Sequence, residues 1–112
     1  MKIGIIGSRS LKLSDFTPFL PSACNEIVTG GAKGIDACAK EYAEAHGIPL
    51  TVFMPQYTKF GKAAPLVRNR EIVNYADYIL AFWDGSSRGT KFVIDYCQKI
   101  GKPCEIICCH PE

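Results

Sequence analysis

The chain reads as an α/β protein, a single-domain three-layer Rossmann-like fold on a five-stranded parallel sheet in the order 3-2-1-4-5. Three observations predict it. Five short apolar runs recur at residues 2–6 (KIGII), 26–29 (EIVT), 50–54 (LTVFM), 78–82 (YILAF) and 104–109 (CEIICC), each the length of a buried strand. Helix-length segments lie between most of them, and strand alternating with helix implies parallel pairing through right-handed crossovers. The 112 residues suit one domain spanning 1–112, which buries roughly 65% of its unfolded surface and leaves no room for a separate substrate domain.

Between the first two strands, residues 14–20 form a short helix or an irregular segment, because Pro18 and Pro21 limit any helix there to about two turns. The clearest helix runs from Ile35 to His46, with Ile35, Cys38, Ala39, Tyr42 and Ala45 near helical spacing and Gly47 placed to end it. His46 then sits at the helix end, where its imidazole suits the dipole, and neither histidine is assigned catalysis. The connection at 55–64 is the one long link and the natural place for a lid. Pro65 opens the next helix at its first turn, with Leu66, Val67, Ile72, Val73 and Ala76 facing inward. A last helix covers residues 90–100, closed by Gly101 and Pro103.

Composition narrows the function classes. A hydrophobic share of 47%, a charged share of 21% and a mean hydropathy of +0.04 describe an ordinary globular chain. No signal-like segment precedes the first strand and no apolar run is long enough to cross a bilayer, so the expected location is cytoplasmic with no membrane partner. The net charge of +2 speaks against a basic nucleic-acid coat. The six cysteines are scattered through predicted strands and helices, which fits buried free thiols better than a disulfide scaffold. Cys104, Cys108, Cys109 and His110 lack the paired spacing of a zinc site, and no metal is expected.

Four segments follow predicted strands and carry glycine, hydroxyl or arginine: GSRS at 7–10, TGGAKGID at 29–36, RNRE at 68–71 and WDGSSRGT at 83–90. In a parallel sheet such loops share one rim, and ligands bind there where the strand order reverses. All four arginines, Arg9, Arg68, Arg70 and Arg88, fall within these segments. Glycines 30, 31 and 34 would let the backbone after Thr29 approach a ligand, with Asp36 in the first turn of the helix that follows. A tight strand-to-helix turn is the competing reading. The pattern is neither a P-loop nor GxGxxG, so ATP hydrolysis and dinucleotide redox chemistry lose their usual support.

The last segment repeats the logic, with Ser87, Arg88, Gly89 and Thr90 at a helix start. Trp83 offers a stacking surface for a base and Asp84 an acceptor for ribose hydroxyls; a core aromatic at a strand end explains Trp83 equally well. Arg9, beside Gly7 and Ser8 after the central strand, can reach a phosphate at the switch point, and a surface ion pair is its alternative. Consecutive helical residues point in different directions, so Arg68 and Asn69 are taken for the ligand and Arg70 or Glu71 for structural pairing. Tyr57, Lys59, Phe60 and Lys62 suit either single-stranded nucleic acid or a solvated loop.

GSR at 7–9, GGAKGID at 30–36, GKAAPLVRNREIV at 61–73 and FWDGSSRGT at 82–90 together resemble the SLOG superfamily over nearly the whole chain. That group takes in the DNA-processing DprA/Smf proteins and the LOG phosphoribohydrolases, and the likeness is greatest to its small stand-alone members related to YspA and YpsA. The resemblance implies a Rossmann-like sheet whose rim holds a nucleotide or nucleotide-derived ligand. In LOG enzymes the glycine-rich turn is followed by a catalytic glutamate, in a PGGxGTxxE pattern. Lys91, Phe92 and Val93 follow it here, and Asp95 lies on another face of the helix.

The expected activity is therefore binding or sensing of a phosphorylated nucleoside or ADP-ribose-like ligand, with no cofactor required. Two alternatives stand beside it: LOG-like hydrolysis of a nucleotide N-glycosidic bond, with Asp36 or Asp84 as acid or nucleophile, and DprA-like binding of single-stranded DNA along Arg9, Lys33, Lys59, Lys62, Arg68 and Arg88. Apolar residues such as Phe92 and Tyr96 on an outer helix suggest a homodimer.

Overall fold

Strand β1 (Lys2–Gly7) is central because both its edges are used, paired in parallel with β2 (Glu26–Gly30) on one side and β4 (Tyr78–Trp83) on the other. Strand β3 (Leu50–Phe53) extends the sheet beyond β2 and β5 (Cys104–Cys108) beyond β4. This computed structural model describes residues 1–109, and in it the sheet is all-parallel in the predicted order β3-β2-β1-β4-β5. His110 lies outside the described residues.

Alternate side chains of the strands feed two cores. Ile3, Ile5, Ile27, Leu80 and Phe82 point to one face, which is covered by helix α1 (Ile35–Ala45) through Ile35, Ala39, Tyr42 and Ala43. Ile6, Val28, Ile79 and Ala81 point to the other face. There, past a one-turn helix α2 (Tyr57–Phe60), stand α3 (Ala64–Tyr75), with Ile72 and Val73, and α4 (Arg88–Ile100), with Val93, Ile94 and Cys97. The side on which the crossovers run changes between β1 and β4, and that change places the switch point.

The first crossover has no helix. Residues 8–25 run as turns, yet Leu11 and Phe16 are buried against the α1 face. Phe16 meets Tyr42 and Phe82 edge-on with centroids 5.5 and 5.4 Å apart, and Thr17 shares a 2.6 Å hydrogen bond with the Tyr42 hydroxyl. Aromatic packing thus substitutes for a helix that Pro18 and Pro21 prevent.

Several boundaries differ from expectation. The long link at 55–64 is partly ordered as α2 and a 3₁₀ turn at Gly61–Ala63 that leads directly into α3. Because α3 begins at Ala64, its buried stripe is Ala64, Arg68 and Ile72 at four-residue spacing, with Val73 beside it, while Leu66 is exposed. In α1, Ala43 and Asp36 are buried and Ala45 is not. His46 caps α1, its ring stacked on Tyr42 at 3.9 Å between centroids. All six cysteines are free thiols, but only Cys97 is buried and Cys108 is exposed, correcting the expectation that they are buried. Among the described residues no helix is long and apolar enough to cross a membrane.

Candidate functional site

A cleft of about 420 Å³ opens at the C-terminal edge of the sheet, where β1 and β4 separate. Residues from all four rim segments line it: Gly7 at the end of β1 and Arg9 after it, Asp36 after β2, Arg68 and Asn69 from α3, and Asp84, Ser87, Gly89 and Thr90 after β4. Topology brings these distant residues together, since each segment follows a strand of one parallel sheet.

The floor of the cleft is a charged pair that does not close on itself. Arg68 is 6% exposed and Asp36 5%. Arg68 Nε donates to Asn69 Oδ1 at 2.8 Å, but its Nη1 is buried without any acceptor. Asp36 Oδ2 accepts a 3.4 Å hydrogen bond from the Ala32 N–H. A side chain at Gly30 would put its Cβ 2.5 Å from Arg68 Nη1 and 2.8 Å from Asp36 Oδ2, so both groups flank the space over the Gly30 Cα. Among the described residues the only ion pair within 4 Å is Lys91–Asp95 on the surface. Burial pushes the Asp36 carboxyl up to about 6, with the Arg68 charge and the nearby N–H groups holding it back.

The wall is built by hydroxyls and one carboxylate. Asp84 Oδ1 accepts the backbone N–H groups of Ser86 and Ser87 at 2.9 and 2.8 Å, and its Oδ2 accepts Ser10 Oγ at 2.8 Å. These donors hold the carboxyl far below its ordinary range. Ser8 Oγ accepts the Asp84 N–H at 3.1 Å, tying the loop after β1 to the loop after β4. Ser87 caps α4, accepting from the Thr90 N–H at 3.5 Å and sharing a 3.2 Å hydrogen bond with the Thr90 hydroxyl. The positive end of α4 therefore faces the cleft at Gly89 and Thr90.

Several expected site residues have other work. Ser8 is fully buried and Thr29 donates its hydroxyl to the Ile5 carbonyl at 2.6 Å inside the sheet. The glycines of the second segment meet the protein rather than the cleft: Gly30 leaves space for Arg68 and Asp36, Gly31 for the Met54 thioether, and Gly34 for the Ser8 and Arg9 carbonyls. Only Gly34 has positive φ, at 75°. Trp83 packs on the α3–α4 core and donates its indole N–H to the Ser87 carbonyl at 3.0 Å, so the core reading of that residue is the one the packing matches. Arg88 is exposed and lies outside the cleft lining, as do Lys33, Tyr57, Lys59, Phe60 and Lys62. Arg68 was expected at the start of its helix and instead stands in the second turn, on the buried stripe.

Ile6, Ser10, Ala32, Pro65, Leu66 and Val93 also line the cleft and were not assigned to the ligand, although Ser10 and Ala32 lie inside two of the rim segments. Ser10 closes the GSRS segment and Val93 follows the N-terminus of α4 by one turn, so both had a positional signal. Leu66 had none, because its spacing reads as core.

Cation and acceptor are unequally satisfied across this site. Both carboxylates accept protein N–H donors, whereas Arg68 Nη1 has no acceptor and the exposed Arg9 makes no hydrogen bond through its guanidinium among the described residues. The cleft therefore has cationic donors in excess of the acceptors the protein supplies to them. Comparison with protein-family models, with curated proteins and with solved structures returns no significant match to this chain. The site's chemistry therefore rests on its own geometry.

Proposed function

We propose that the cleft binds a phosphorylated nucleoside or ADP-ribose-like ligand, and that the chain is a small recognition module of the SLOG type. One observation carries the reading: Arg68 Nη1 is a buried cationic donor without an acceptor, at the floor of a cleft that also receives the N-terminus of α4. A buried donor left unpaired costs about 1–3 kcal/mol, and a ligand oxygen that accepts from it offsets that cost. A cleft volume of 420 Å³ falls within the range of small-molecule sites. Phosphate suits the α4 N-terminus and the exposed guanidinium of Arg9.

Binding is favoured over hydrolysis by what stands one turn into α4. Val93, the position corresponding to the glutamate of the LOG pattern, lines the cleft with an apolar side chain. Asp84 is fixed by three protein groups, Ser10, Ser86 and Ser87, and is a poor acid. Asp36, raised by burial to about 6, is the one cleft carboxyl that titrates close to neutrality, and it leaves N-glycosidic cleavage as the second reading. Single-stranded nucleic acid is less well served, because Arg68 is buried and Lys59 and Lys62 lie outside the cleft.

A thermal-melt panel with AMP, cyclic nucleotides, NAD, ADP-ribose and a short single-stranded oligonucleotide tests the proposal. Ligand at a hundred times its dissociation constant adds about 2.7 kcal/mol, an easily read shift for a chain this size. Stabilisation by a small nucleotide is the expected result. A shift with the oligonucleotide alone transfers the proposal to nucleic acid, and release of free base on incubation transfers it to hydrolysis.

A further inference from the structure

Asn69 is half-buried on the cleft wall, and the oxygen and nitrogen of its amide have different surroundings. Its Oδ1 accepts from Arg68 Nε at 2.8 Å. A guanidinium nitrogen only donates, so this bond fixes which way the amide is turned. The Nδ2 on the other side has no protein acceptor among the described residues, and unlike Arg68 Nη1 it is not shut off from solvent. Asn69 therefore turns its carbonyl to Arg68 and offers its N–H donors to the cleft.

Leu66 stands three residues earlier and so beside Asn69 on the surface of α3. It is 39% exposed and lines the same cleft next to Pro65. An apolar wall of this kind is stabilised by contact with a flat ring and gains nothing from a phosphate. Resting on the nucleotide-binding reading above, we propose that the base of the ligand lies against Leu66 and accepts a hydrogen bond from Asn69 on its edge, while the phosphate lies against Gly89 and Thr90 at the start of α4. Asn69 is then the residue that determines base specificity, and Arg68 positions it. A base without an acceptor at that point covers the Asn69 N–H without bonding to it and binds more weakly.

Asn69→Asp separates the two halves of the side chain. A carboxylate here still accepts from Arg68 Nε, but its second oxygen puts an acceptor where the donor was.

The test is calorimetric titration of the wild-type protein with AMP and with its 1-deaza, 3-deaza and 7-deaza analogues, each of which replaces one ring nitrogen by C–H. It is repeated on Asn69→Asp, with a thermal melt of both proteins. The expected result is that one analogue binds the wild type about fivefold or more weakly than AMP does. AMP should bind Asn69→Asp about tenfold or more weakly than it binds the wild type, although the variant melts no lower. Within the variant, AMP and the sensitive analogue should bind alike, a ratio in which repulsion between the new carboxylate and the phosphate cancels. Equal wild-type affinity for AMP and all three analogues overturns the inference and leaves nucleotide binding intact, whereas failure of AMP to bind overturns both. Unchanged AMP affinity in Asn69→Asp, or discrimination that persists there, overturns the assignment to Asn69. The wild-type comparison decides even if the variant does not fold.

Discussion

The carboxylate of Asp36 and the guanidinium of Arg68 flank the Cα of Gly30, one from the first turn of α1 and the other from the second turn of α3, without pairing directly. Two buried opposite charges that stop short of contact are costly to the fold. On the proposed function a bound ligand offsets part of that cost, as expected where function is maintained at the expense of stability.

Asp36 makes the folded state sensitive to pH. Its carboxyl titrates near 6 in the folded chain against an ordinary value of 3.8, so between those values the native state holds a proton that the unfolded chain has released. Stability from this group is fully present below pH 3.8, falls as pH rises and levels off above 6, a loss of up to about 3 kcal/mol. Asp36→Asn should therefore match the wild type in urea unfolding at pH 4 and exceed it at pH 7.5. The comparison between the two proteins cancels the opposite slope contributed by Asp77 and Asp84, whose carboxyls are held low.

Gly34→Ala should be the most damaging glycine substitution on the rim. Its φ of 75° disfavours any side chain, and a Cβ would stand 2.6 Å from both the Ser8 and Arg9 carbonyl oxygens. Gly47 shares the positive φ but has open space around it. Urea unfolding should show a loss of about 1 kcal/mol for Gly47→Ala and at least twice that for Gly34→Ala.

Ser87→Ala removes the cap of α4 and should lower stability by about 1 kcal/mol in the same assay. Because the start of α4 forms one wall of the cleft, nucleotide affinity should fall with it.

Thiol reactivity should follow burial. Cys108 is exposed and Cys97 is fully enclosed between α4 and the sheet. An aromatic disulfide reagent should modify Cys108 rapidly in the native protein and reach Cys97 only as the chain unfolds.

The sheet was legible because its inner strands are near-continuous apolar runs, as strands buried on both faces must be, and because Gly47 and Gly101 end helices where their backbone freedom is needed; the edge strands β3 and β5, read as equally buried, are only partly so. The rim was legible as a set of loops, and the cleft does collect residues from all four. What escaped was the division of labour among polar groups. Ser8, Thr29 and Asp84 look like ligand contacts in sequence, and hydrogen bonds to partners far along the chain take them up instead. Arg68 escaped for a different reason: four residues before the inward Ile72 it shares the buried stripe, but its charge marks it for the surface, and its approach to Asp36 depends on tertiary packing.

Calorimetric titration of AMP and ADP-ribose into the wild-type protein and into Arg68→Gln tests the central claim most directly, with near-ultraviolet circular dichroism confirming that the variant keeps its packing. Saturable one-to-one binding by the wild type, weakened by about tenfold or more in the variant, is the predicted result. Equal affinity in the two proteins, or no saturable binding of either ligand, would contradict it.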